Sequence, residues 1–166
     1  MSLEEAVARE HIRDTMARYN IGGDRRDLPA FVATFTEDAV YESAVFRCVG
    51  KTSIEAYLAA NWNAKPKGPA ARFRRHNLTT CQIDLTGPGT ANSRLYYFVI
   101  TDLGPDHSGY YVDRWREEQG RWLIAHREVW MDWCNPQSRF VPEESKRLLA
   151  EKGTAGPAEA MEAGRR

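Results

Sequence analysis

Charge of one sign is what this chain lacks first: 23 lysines and arginines stand against 23 aspartates and glutamates, a net charge of zero. Nucleic acids and anionic membrane surfaces are bound through a basic excess, so neither is expected as a partner. Long apolar runs are missing too. No stretch approaches the roughly 20 apolar residues of a membrane-spanning helix, and the opening MSLEEAVARE is too acidic for a secretory leader, so the chain reads as cytoplasmic. Cysteine is scarce: Cys48, Cys81 and Cys134 are odd in number and lack the spacing of a zinc site or a disulfide framework. His11, His76, His107 and His126 form no HxH or HExxH pattern. No metal is predicted, and there are no internal repeats.

What remains is an ordinary globular composition, 42% apolar and 28% charged over 166 residues, enough for one domain with its own core. Ala8, Ile12, Met16 and Tyr19 recur at spacings of four, four and three, the stripe of an amphipathic helix over Leu3 to Tyr19. Gly22-Gly23 is expected to end that helix and to leave Asp24 in the turn behind it. A second helix is predicted from Asp27, with Pro29 in its first turn and Phe31, Val32 and Phe35 turned inward. Ala39 to Phe46 reads as a short strand, and Gly50 to Asn63 as a third helix carrying Ile54, Tyr57, Leu58 and Trp62. Lys65-Pro66-Lys67-Gly68-Pro69 reads as a loop.

Four strand-like segments follow, Arg72 to Leu85, Ala91 to Asp102, Ser108 to Glu117 and Arg121 to Trp133, punctuated by Gly87-Pro88-Gly89, Gly104-Pro105 and Gln119-Gly120. Pro142 to Lys152 suits a further helix, and residues 153–166 read as a flexible tail after a single domain spanning 1–152. Helices first and a meander afterwards is the α+β order. Such a fold lays about three helices on a curved, mostly antiparallel sheet and leaves a cavity between the layers, the usual place for a small ligand.

The last strand, RWLIAHREVWMDW, is the most informative stretch. Strict alternation puts Leu123, Ala125, Val129 and Met131 on one face with Arg127 and Trp133. A guanidinium in an apolar wall must be paired or must bind something. An ion pair, or a side chain snorkelling past a strand edge, are the other readings.

Tyr19, Asp24, His76 and Arg127 together have the parts of a proton-transfer site. A carboxylate on one imidazole nitrogen fixes the tautomer and leaves the other nitrogen free to accept a proton. Tyr19 can donate to a leaving hydroxyl or an enolate, and Arg127 can hold growing negative charge. Each has a plainer reading: Asp24 as a turn former, His76 as a surface strand histidine, Tyr19 as core. Alternation alone leaves the face of His76 open. Tyr41, Trp62, Tyr97, Tyr110 and Met131 are expected as walls of a substrate pocket. Arg72, Arg74 and Arg75 read as a solvated basic edge.

The order of RYNIGGDRRDLPAFVATFTEDAVY, GKTSIEAYL, RRHNLTT and GRWLIAHREVWMDW resembles the SnoaL-like branch of the nuclear transport factor 2 superfamily over roughly Glu4 to Gln137. Within it, the likeness is to the scytalone dehydratase, bile-acid dehydratase and hexachlorocyclohexane dehydrochlorinase group. That resemblance implies an α+β cone, a homodimer or homotrimer, and an Asp-His dyad that works without metal or cofactor. The group's aspartate falls on Asp24, its strand histidine on His76, its lysine or tyrosine on Tyr19 and its arginine on Arg127. The second histidine of scytalone dehydratase finds no clear match. The implied activity is a dehydratase-like lyase or isomerase acting on a small hydrophobic cyclic molecule such as a steroid, polyketide or aromatic-derived ring. A non-catalytic ligand-binding or assembly module, like a dioxygenase small subunit, is the alternative.

Overall fold

Helix α1 (Leu3–Arg25) starts where its cap chemistry dictates: the Ser2 hydroxyl accepts the Glu5 N–H, and the Glu5 carboxylate accepts the Ser2 N–H in return. The computed structural model describes residues 1–62 and 72–157; the expected loop at 65–69 and the residues from 158 onward lie outside them. The expected stop at Gly22-Gly23 is overturned. The helix runs on to Arg25, and Arg26 caps it in the left-handed region at φ 55°. The glycines instead let α1 approach α2 (Leu28–Val32), because a Cβ on Gly22 would lie 3.0 Å from the Phe31 nitrogen. Asp24 therefore sits on the last turn of α1, not in the turn behind it.

Asp27 caps α2 through the Ala30 N–H, as its sequence suggests. Strand β1 (Phe35–Glu42) begins four residues earlier than expected and pairs with an unforeseen short β2 (Arg47–Val49). Helix α3 (Lys51–Trp62) follows, then β3 (Arg74–Gly87), β4 (Thr90–Thr101), β5 (Gly104–Glu118), β6 (Arg121–Cys134) and α4 (Glu143–Lys152). The six strands form one curved sheet ordered β2-β1-β6-β5-β4-β3, antiparallel throughout except for the parallel β1–β6 pair. The fold is the α+β class the sequence implies, with the first three helices against one sheet face. Among the described residues no helix is long and apolar enough to cross a membrane.

Between those helices and the sheet lies the core. Ile12, Ile54, Leu95 and Ile124 are completely buried there, each contributing about 1.5–3 kcal/mol by leaving water. Two bulges set which side chains reach it. Leu78 pairs with Tyr97 and Cys81 with Leu95, so β3 spends one extra residue between them. Upstream of that bulge, His76 stands opposite Val99 and shares the inner face with Tyr97. In β6 a second bulge at Ala125 separates the pairs Ile124–Trp115 and His126–Arg114. Strict alternation is thereby corrected: Trp122 and Ile124, not Leu123 and Ala125, share the core with Arg127. The start of the supposed tail is also placed. Ala155 pairs with Met131 and is buried, so residues 154–157 dock on β6.

Candidate functional site

The last turn of α1 delivers Asp24 to the end of β3, where both its oxygens engage one residue. His76 Nδ1 lies 2.6 Å from Oδ1, and the His76 backbone N–H donates to Oδ2 over 2.9 Å. Burial alone would raise the Asp24 carboxyl, but the hydrogen bonds and charge of His76, with help from Arg74, hold it below its ordinary value. For His76, burial dominates and lowers the imidazole, against the pull of Asp24. A neutral ring with Nδ1–H given to a carboxylate leaves the Nε2 lone pair to accept a proton.

A cavity of about 140 Å³ opens beside this pair, lined by Tyr19, Phe31, Tyr41, Trp62, Arg74 and His76 among others. The Tyr19 and Tyr41 hydroxyls lie 2.9 Å apart and share one hydrogen bond, which leaves one phenol proton of the pair for a ligand. Burial raises both phenols, Tyr41 well above the ordinary value, so both remain protonated donors. Tyr97 does not line this cavity; its ring lies 6.3 Å from that of His76 and is stacked on Tyr111 at 4.6 Å.

Arg127 is not where an oxyanion holder belongs. It is fully buried and clamped by Asp113, the residue opposite it on β5, with Nε to Oδ1 and Nη2 to Oδ2 both at 2.7 Å. Its guanidinium is sandwiched between the rings of Tyr19 and Tyr111 at 4.1 and 4.4 Å. Burial opposes that charge, yet Asp113 outweighs it and raises the guanidinium further. The ion-pair reading of Arg127 is the correct one, and its contact with the site runs through the underside of Tyr19.

Two expected wall residues lie elsewhere. Tyr110 neighbours the buried Tyr111 in β5 and so faces away from the core, stacked on Trp130 at 5.6 Å under the Arg94 guanidinium. Met131 is taken up by its backbone pairing with Ala155 and is not in the cavity wall.

In their place stand groups the sequence reading missed. Arg74 is turned inward rather than solvated: Nη2 donates to the Gly23 carbonyl at 3.1 Å, Nε lies 3.8 Å from Asp24 Oδ1, and the guanidinium rests 5.1 Å from the Phe140 ring. Its position two before His76 on one strand was the available signal. A second histidine does stand by the dyad. His107, held by Asp106 at 2.6 Å, has its ring 6.1 Å from that of His76, and Asp106 also accepts from Ser138 at 2.7 Å.

Glu42, His126 and Glu128 bring ligand atoms within 4.8 Å of one another away from this cavity. Both imidazole nitrogens of His126 are already engaged, Nε2 by Glu42 at 2.5 Å and Nδ1 by the Arg114 guanidinium. The cluster works as a charge network across β1, β5 and β6.

Comparison with known proteins agrees with this fold. A family model described as a SnoaL-like domain matches residues 4–128. The chain is similar to a Nostoc punctiforme PCC 73102 protein of unknown function with a cystatin-like fold, at 21% identity and a TM-score of 0.67, covering 82% of this chain and 97% of that one. A provisionally assigned scytalone dehydratase from Novosphingobium aromaticivorans DSM 12444 aligns at 20% identity and a TM-score of 0.65, over 76% and 85% of the two chains. LinA aligns at 17% identity and a TM-score of 0.67, over 84% and 97%. No curated protein matches the sequence.

Proposed function

We propose that this chain, which belongs to the SnoaL-like domain family of the nuclear transport factor 2 superfamily, is a cofactor-independent lyase or isomerase of the dehydratase kind. Its substrate class is a small hydrophobic cyclic molecule, and His76 is its general base. The observation that carries this reading is the 2.6 Å contact between His76 Nδ1 and Asp24 at the edge of a cavity walled by aromatic rings and a few polar side chains. A binding or assembly module has no need to hold an imidazole in one tautomer beside a ligand site. Asp24 and His76 on two distant segments, joined through both carboxylate oxygens, support the catalytic alternative.

In this reading His76 Nε2 removes a proton from carbon next to a carbonyl or similar withdrawing group, and Asp24 steadies the imidazolium that forms. Of the hydrogen-bonded phenols of Tyr19 and Tyr41, both in the cavity wall, the one whose proton is not used within the pair donates it to the ligand oxygen on which charge grows. Arg127 acts from below: its charge against the Tyr19 ring keeps the phenol pair in place and polarised. The same proton, returned to another carbon, gives isomerisation; expulsion of a leaving group gives elimination. The proposal extends to a single domain that takes in the stretch at 154–157 docked on β6, and to a homodimer or homotrimer as its working assembly.

The test is His76→Ala against the wild type on ring substrates carrying a leaving group next to an activated C–H, followed by the ultraviolet absorbance of the conjugated product. Turnover by the wild type that the variant loses is the expected result. Equal rates in the two proteins overturn the assignment.

A further inference from the structure

Buried polar atoms without a hydrogen-bond partner are uncommon in folded proteins, because nothing repays the water they gave up. Among the described residues three side-chain atoms are of this kind: Asn20 Oδ1, Arg74 Nε and Arg127 Nη1. Arg127 is explained by its two aromatic neighbours and Asp113. The other two belong to residues lining the cavity beside the dyad.

Neither atom is free to turn away. The Asn20 amide nitrogen donates to the Met16 carbonyl at 2.9 Å, which fixes the amide and leaves its oxygen pointing elsewhere. Arg74 is pinned by the Gly23 carbonyl and by Phe140, and its Nε, at 3.8 Å, is outside hydrogen-bond reach of Asp24. The pair is complementary: one acceptor that needs a donor, one donor that needs an acceptor. Around them the wall is Tyr19, Phe31, Leu58 and Trp62, which offers faces to a ring. A volume of about 140 Å³ is close to that of an apolar cavity that holds one benzene ring.

We infer that Asn20 and Arg74 are the specificity residues of this cavity, and that its ligand is a single ring bearing a hydroxyl, which donates to Asn20 Oδ1, and a separate accepting oxygen, which meets Arg74 Nε. The inference rests on the cavity being the ligand site proposed above, and narrows the ligand from fused ring systems to one polar-decorated ring. Because Arg74 Nε stands 3.8 Å from the carboxylate that holds His76, the accepting oxygen is anchored next to the dyad.

Three probes test it on the full chain: 3-hydroxycyclohexanone, cyclohexanone, which lacks the hydroxyl, and cyclohexanol, which lacks the carbonyl. Titration followed by NMR gives each Kd and shows any turnover. For the wild type, loss of either group should weaken binding about tenfold, one buried hydrogen bond's worth. Asn20→Leu should erase the preference for the hydroxyl alone, and Arg74→Met the preference for the carbonyl alone. Equal binding of all three probes by the wild type, saturation by none, or preferences that survive in the variants overturn the inference. Where a variant does not fold, the ligand series on the wild type decides. The predicted preferences without turnover of any ring substrate sink the catalytic reading and leave this one; His76-dependent turnover without them sinks this one only.

Discussion

His76 hangs on both oxygens of Asp24, the ring on Oδ1 at 2.6 Å and the backbone N–H on Oδ2 at 2.9 Å. One carboxylate thus fixes both the strand end and the tautomer of the imidazole mounted on it. Removing the base, as in His76→Ala, should lower kcat about 10²- to 10⁴-fold. Asp24→Asn keeps the size but presents only one accepting oxygen, so the imidazole loses its orientation or the strand loses its anchor. Its loss should fall in the same range and appear in kcat rather than KM. Steady-state kinetics with a turned-over ring substrate decides this; an Asp24→Asn enzyme with unchanged kcat removes the dyad from the mechanism.

The proton affinities give a pH signature with a definite sign. Burial lowers His76 below its usual 6.5, so between 6.5 and the folded value the unfolded chain holds more protons. Stability from this group is complete above 6.5 and falls as the pH drops below it. Asp24 is lowered beneath 3.8, so its contribution is present above 3.8 and is lost as the pH falls through the folded value. Acid should therefore act in two stages, and kcat/KM should persist below 6.5 before its acid limb sets in. Denaturant titrations across this range check it: in His76→Ala the first stage should flatten, and an identical slope in both proteins contradicts the assignment.

His107 offers a finer test. Its ring lies 6.1 Å from that of His76, and positive charge there disfavours a proton on His76. His107→Gln removes that repulsion without emptying the space. The acid limb of the rate profile should then move to higher pH, since His76 holds its proton more readily. A limb that stays put, or moves down, means the two rings are not electrostatically coupled.

Much of this architecture was legible in the residues. The helical stripe through Ile12, Met16 and Tyr19, the Asp27 cap and the four strands of the meander all lie close to their expected places. What was not legible came from pairing, which one chain's alternation does not encode. The face of His76 depends on a bulge between Leu78 and Cys81 that only the partner strand reveals. Arg127 announced itself as a buried charge, but its answering carboxylate, Asp113, is fixed by the β5–β6 register. Gly22 and Gly23 carried a helix-stop signal that close packing on Phe31 overrode. Arg74 hid in a run of arginines although its two-residue offset from His76 put it on the same face.

The buried Arg127–Asp113 pair should be costly to break from one side. Both side chains are fully buried and joined by two parallel hydrogen bonds, so Arg127→Met leaves an uncompensated carboxylate in the core. A loss of about 3–5 kcal/mol is expected from urea unfolding. Arg127→Lys should recover little, because an ammonium does not reproduce the two-pronged contact. Arg127→Met combined with Asp113→Leu should lose less than the sum of the single changes, since no lone charge remains. Additive losses would show that the pair does not act as a unit.

The stretch behind α4 carries the last test, because it decides where the domain ends. Ala155 exchanges two backbone hydrogen bonds with Met131, at 2.7 and 2.9 Å, and the Thr154 hydroxyl adds a third to the same carbonyl at 3.2 Å. Gly156 lies directly under Trp130: a Cβ there would sit 2.3 Å from the indole ring, far inside contact distance. A chain ending at Pro157 should therefore be more stable than one ending at Lys152, which strips this strand from β6. Gly156→Ala in the full chain should lose about 1–3 kcal/mol, the usual cost of forcing an atom into filled space. Equal melting temperatures for the two truncations, with Gly156→Ala indistinguishable from wild type, would place the end of the domain at Lys152 instead.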